Sequence, residues 1–223
     1  MLPSRKKLWR KMDFDNYLAK YFPALELKQP LFYNWDYGIR FELGYLSVWK
    51  NKNRTILNQK YFKSALYRAK TLYKAIFDIN DNIIVVCQRY SDGRQKIKKR
   101  SFCYENIHSF THTETSKTEN PYYEEGDFIT KKEHWQRKIF YTKSKYVNYK
   151  NFLYRSIHYD FGYRGIEVYF INTTKNIIFY NYDDRGLDII ANNPKTLKPL
   201  YHFYNDWILD YDKDKIDKIF VNL

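Results

Sequence analysis

The chain has 223 residues and a formal net charge of +14, with 44% hydrophobic and 20% aromatic residues, enough apolar content for one full core. Its longest uninterrupted apolar run, Ile83-Ile84-Val85-Val86-Cys87, is far shorter than the roughly 18 residues of a membrane helix, so no membrane partner is expected. The basic start from Met1 to Lys11 has no signal-peptide apolar segment behind it, and Cys87 and Cys103 do not make a disulfide framework, so a cytoplasmic protein is expected.

Residues 1–12 read as a basic N-terminal extension, and 13–223 as a single domain. Asp13 to Phe22 predicts a short amphipathic helix, capped by Asp13 or Asp15 and stopped by Pro23. Gly38 to Leu43 alternates like a half-buried strand. The clearest helix runs from Asn58 to Phe77, where Phe62, Ala65, Leu66, Ala69, Leu72, Tyr73, Ile76 and Phe77 form a core-facing stripe. Asn82 to Tyr90 is apolar in its middle and predicts an interior strand, followed by a turn at Ser91-Asp92-Gly93 into a basic run. Residues 108–127 are polar and aperiodic, which predicts a mobile loop insert.

A strand near Trp135 to Thr142 and a Tyr-rich helix near Tyr146 to Arg155 come next. Gly165 to Asn172 and Asn176 to Tyr182 predict a hairpin across Thr173-Thr174-Lys175, and Leu187 to Ala191 extends it to a meander. Asn193 and Pro194 have the order of a helix N-terminus, leading to a helix as far as Tyr204, and Asp212 is expected to cap a last helix ending at Phe220. The fold class is therefore α+β, an antiparallel or mixed sheet with helices mainly on one face and a C-terminal meander followed by two helices.

Tyr182-Asp183-Asp184-Arg185-Gly186-Leu187-Asp188, then Asp206-Trp207-Ile208-Leu209 and Tyr211-Asp212, resemble a family of uncharacterised bacterial domains that end in a Tyr-Asp-Asp-Arg-Gly hairpin, an Asp-Trp-Ile element and a short terminal helix. The resemblance covers the C-terminal third well and Tyr33 to Leu43 more loosely, and it implies no chemistry. Within it, Asp183 and Asp184 are expected to satisfy turn amides rather than a metal, and Gly186 to supply positive φ. Arg185 is expected to pair with Asp188 or a carboxylate of Asp206 to Asp212, tying the terminal helices to the sheet.

Enzyme signatures are missing from the sequence. His108 and His112 have the i, i+4 spacing of a zinc pair, but position 109 is Ser where a metalloprotease would need Glu. No Gly-rich phosphate loop or serine elbow is present among 7 glycines, and no metal or cofactor is expected.

Charge gives the remaining signal. Residues 1–100 carry 22 Lys and Arg against 8 Asp and Glu, whereas 101–223 carry 17 of each. At about 100° per residue, Lys60, Lys63, Tyr67, Lys70 and Lys74 share the polar side of the long helix. Arg94, Lys96, Lys98, Lys99 and Arg100 form a second cluster, and Arg5 to Lys11 a third. Convergence of the three would create an anion-binding surface. Against this, Lys, Asn, Tyr, Phe and Ile all have AT-rich codons, so base composition alone enriches them. The expected function is a non-enzymatic binding protein, plausibly of the immunity type that neutralises a toxin, with an acidic protein as partner. The alternatives are a nucleic-acid-binding protein using the N-terminal half and an unrecognised hydrolase.

Overall fold

A computed structural model describes residues 13–91, 101–118, 134–163, 165–221 and 223. Seven strands form one antiparallel sheet: β1 (Gly38–Glu42), β2 (Asn82–Ser91), β3 (His112–Thr118), β4 (His134–Lys143), β5 (Glu167–Asn172), β6 (Ile177–Asn181) and β7 (Gly186–Ala191). Their spatial order is β1-β7-β6-β5-β2-β4-β3. The helices are α1 (Phe14–Tyr21), α2 (Gln59–Ile76), α3 (Phe102–Glu105), α4 (Tyr149–Ile157), α5 (Lys198–Phe203) and α6 (Lys213–Phe220).

The period-two alternation of the strands sorts side chains between two cores. Ile83, Val85, Phe170, Phe179 and Ile189 face the larger one, where they meet Ala65, Ala69, Leu72 and Ile76 of α2 and Phe152 and Leu153 of α4. Ile84, Val86, Ile171, Ile178 and Ile190 face the smaller one, covered by Phe14 and Tyr17 of α1 and by Phe22, Leu27 and Leu31. The expected α+β class, with helices mainly on one face, is thus the fold.

Local signals set the element ends. The Asp13 carboxylate accepts from the Asn16 amide at 2.9 Å to open α1, and Asn58 Oδ1 accepts from Lys60 N at 3.2 Å to open α2. Both are the short polar caps that exposed helix amides require. The β5–β6 hairpin closes on Asn172 Oδ1, which accepts from the amides of Thr174 and Lys175 at 3.0 and 3.1 Å. Positive φ there belongs to Asn176, at 53°.

Three expectations change. The polar segment read as a loop contains β3, which pairs with β4 from His112↔Tyr141 to Thr118↔Trp135. A solvated edge strand needs hydrogen-bonding partners more than an apolar face, so its burial pattern is weak. Accordingly His112 lies on a strand, and the i, i+4 pair with His108 is not helical. Finally, Asp212 stands at the N-cap of α6, but its side chain makes no capping bond. The extension 1–12, the turn residues Asp92 and Gly93, the basic residues Arg94 to Arg100 and the remainder of the expected insert lie outside the described residues.

Candidate binding face

Helix α2 buries its apolar stripe against the sheet, which leaves Lys60, Lys63, Tyr67 and Lys74 exposed and Lys70 half-buried along the outer side. Arg68, one residue beyond Tyr67, lies flatter on the protein surface. Its Nη1 donates to Glu42 O at 3.0 Å. Its guanidinium sits 5.1 Å from the ring centre of Tyr45 and 5.2 Å from that of Trp207. Trp207 also stacks on Tyr204 at 5.1 Å and meets the edge of Tyr67 at 6.2 Å. Burial pulls the Arg68 guanidinium below its ordinary value, opposed by Glu42 and Tyr45.

Two separate sequence signals therefore join. Tyr67 of the lysine ladder and Trp207 of the Asp-Trp-Ile element touch, and Arg68 fastens both to the Tyr45 loop. Tyr45 remains 59% exposed and Tyr67 65% exposed. The result is a surface on which partly desolvated cationic and aromatic groups are fixed in place, the composition that concentrates binding energy. Sequence reasoning missed Arg68 and Tyr45: Arg68 falls between the polar and apolar sides of the helix, and nothing near Tyr45 distinguishes it. Asp206 is exposed, while Ile208 is buried and bridges Phe41 at the β1 edge.

The motif turn is held by other partners than expected. Asp183 Oδ1 accepts from the Arg185 amide at 2.8 Å, and Oδ2 accepts from the Arg185 guanidinium. Arg185 is thus used locally, and its place beside Asp188 is taken by Arg40. These two are opposite each other in the β1–β7 register, with Arg40 Nε 3.4 Å from Asp188 Oδ1. Arg40 Nη1 reaches Asp212 Oδ2 at 3.3 Å, and the Tyr33 hydroxyl donates to the other oxygen of Asp212. This explains why Asp212 does not cap α6: its carboxylate is turned toward β1. Burial pushes Asp188 up to about 7, against the Phe32 amide and Arg40, which pull it down. Burial also works against the charge of Arg40, but Tyr182, Asp188 and Asp212 outweigh it. The expected tie between sheet and terminal helix exists, then, with Arg40 as its cation.

Gly186 does not have positive φ. A Cβ there would meet Tyr182 Oη at 2.2 Å and Phe41 O at 2.8 Å, so the glycine is required by space. Asp184 is buried and its backbone carbonyl accepts from the Tyr61 hydroxyl at 3.4 Å. Cys87 and Cys103 are free, and both are buried in the larger core. Burial raises the Cys87 thiol, and the adjacent Cys103 raises it further. Among the described residues no helix is long and apolar enough to cross a membrane.

The family described as "Domain of unknown function (DUF3885)" matches residues 14–212. YnaE of Bacillus subtilis (strain 168), which carries the description uncharacterized protein, is 29% identical over 219 residues, spanning 90% of this chain and 99% of that one. No solved structure matches the chain.

Proposed function

The chain belongs to the DUF3885 family, and we propose that it is a non-enzymatic binding protein that holds an acidic partner on the face made by α2, Tyr45 and the Asn205–Trp207 turn. The single observation that carries this reading is the Tyr45–Arg68–Trp207 stack beside exposed Lys60, Lys63 and Lys74. Lysines alone are the common solvated face of a helix. The Arg68 guanidinium, 14% exposed and 4.0 Å from the Glu42 carboxylate, fixes the Tyr45 and Trp207 rings beside these lysines, so a carboxylate-bearing partner of the lysines meets a surface that needs little further ordering. The immunity type of protein fits such a face, since neutralising a toxin by occupying it needs complementary contacts and no reacting group.

A second reading, nucleic-acid binding, is favoured by the open rings of Tyr45 and Tyr67 among lysines, because exposed aromatics can stack on unpaired bases while cations follow the phosphates. One experiment separates the two. The tagged full chain and its Lys63→Glu, Lys70→Glu double variant are used to capture partners from the host's own lysate, with and without nuclease. The binding-protein reading expects an acidic protein retained by the wild type after nuclease and lost from the double variant. Retention that depends on intact nucleic acid, with a salt dependence flattened by about one in slope per lost phosphate contact, selects the second reading. Capture unaffected by both substitutions refutes this face as the site.

A further inference from the structure

We infer that the loop between β1 and α2 forms a binding site for a small phosphorylated metabolite. Between Glu42 and Asp78 the chain carries eight Lys and Arg and no Asp or Glu. The first part of this stretch folds around an open cavity of about 530 Å³, within the roughly 300–1,000 Å³ of small-ligand sites. Ser47, Trp49, Asn51, Lys52, Arg54 and Tyr61 are among the residues that line it, and no lining residue is acidic.

Exposed lysines and arginines are common, and what sets Lys52 and Arg54 apart is a loop built to hold them. Its two arms are joined by Lys50 N donating to Ile56 O and Asn58 N donating to Val48 O, both at 2.8 Å. Across the tip, Asn51 Oδ1 accepts from the amides of Thr55 and Ile56, each at 3.1 Å, and Asn51 Nδ2 donates to Thr55 Oγ1 at 2.7 Å. Arg54 closes this tip with a φ of 54°, a left-handed conformation that Gly or Asn adopts at lower cost. The Asn51 bonds hold that strain, and they set an arginine rather than a glycine against the cavity. One wall is fixed as well. Tyr61 is 3% exposed, and its ring lies so close to the backbone of Gly44 that a Cβ there would stand 2.1 Å from it. Trp49 packs edge-on with Phe161 at 6.4 Å.

The side chains of Lys52 and Arg54 have no ion-pair or hydrogen-bond partner among the described residues, so both charges are available to a ligand. Two cations with no carboxylate beside them match the charge of about −2 on a phosphate monoester near pH 7 better than the single charge of a carboxylate. A guanidinium fork takes two phosphate oxygens at once, and an ammonium adds a point charge. Ser47 Oγ accepts from Trp49 N at 3.2 Å, which leaves its hydroxyl proton to donate. The cavity is larger than a phosphate group alone fills, and Leu46, Val48 and Trp49 supply apolar lining for the rest of the ligand. None of these side chains is among the partner contacts proposed above, so the two sites are testable separately.

The test is calorimetry and melting temperature of the full chain with AMP, ribose 5-phosphate and inorganic phosphate, with adenosine as the phosphate-free control. The expected result is saturable heat and a rising melting temperature with AMP or ribose 5-phosphate, a weaker response to inorganic phosphate and none to adenosine. The tighter of the two organic ligands tells a nucleotide from a sugar phosphate. Arg54→Gly removes the cation and relieves the backbone, so the chain should stay folded while binding weakens at least about tenfold, the loss of a charge-assisted hydrogen bond. Lys52→Gln should act in the same direction. Lys150→Glu, on α4, lowers the net charge further than either and should leave the affinity unchanged. No saturable response up to about 10 mM, above the roughly 1 μM to 1 mM at which proteins usually meet small substrates, overturns the site. So does an equal response to adenosine, undiminished binding in Arg54→Gly and Lys52→Gln, or an equal loss in Lys150→Glu, which would mark a diffuse effect of net charge. Inorganic phosphate binding as tightly as the organic ligands overturns the assignment to a metabolite.

Discussion

At the scale of single residues, Arg40 is the position on which the C-terminal segment depends. It faces Asp188 and Asp212, both buried, so Arg40→Ala would leave two carboxylates without their cation and should cost about 3–5 kcal/mol, measured by denaturant unfolding. Asp188 also gives the chain a pH dependence with a definite sign. Its folded value, about 7, lies above the ordinary 3.8, so folding favours the protonated form. Its stabilising share is complete below pH 3.8 and is lost as pH rises through 7. Melting curves between pH 4 and 7 should therefore show the wild type losing stability with rising pH relative to Asp188→Asn, whose amide cannot titrate; parallel curves for the two proteins would contradict this. Gly186→Ala should cost about 1–3 kcal/mol by overpacking, and Tyr182→Phe, which removes the nearest atom, should recover part but not all of it because Phe41 O remains at 2.8 Å.

At the scale of elements, the sequence announced those whose burial is regular. The stripe from Phe62 to Phe77 placed α2 to within a residue at each end, because one helix face had to meet the sheet and Asn58 had to cap it. β3 was illegible because an edge strand open to solvent has no apolar face to show. Arg185 was expected to pair with Asp188 or Asp206 to Asp212 because they occur together in one motif, whereas the β1–β7 register brings Arg40, 148 positions from Asp188, directly opposite it. The lysine ladder of the candidate site was legible from helical spacing; the Arg68 stack was not, since Tyr45, Arg68 and Trp207 come from three distant segments. The Asn205–Trp207 turn and the strand-like Ile208 behind it cover the β1 edge, with Leu209 N donating to Arg40 O at 2.9 Å. Ile208→Ala should thus cost roughly 2–4 kcal/mol by loss of core volume, whereas Trp207→Ala, half-exposed, should reduce partner binding with a much smaller change in melting temperature.

At the scale of the whole molecule, the two faces of the sheet are put to different uses. The smaller core closes over α1 and the Arg40 network, and the larger core carries α2, whose outer side leaves Lys60, Lys63 and Lys74 exposed among the described residues. The proposed partner would sit on this outer side, continued by Tyr45 and Trp207. Lysine acetylation footprinting of the complex tests it most directly, because the modified side chains are themselves the proposed contacts. Lys60, Lys63 and Lys74 should be protected when the partner is bound, while Lys150 on α4 and Lys215 on α6, also exposed, should keep the reactivity they have in the unbound chain. Protection of Lys150 or Lys215 with Lys60, Lys63 and Lys74 unchanged would contradict it.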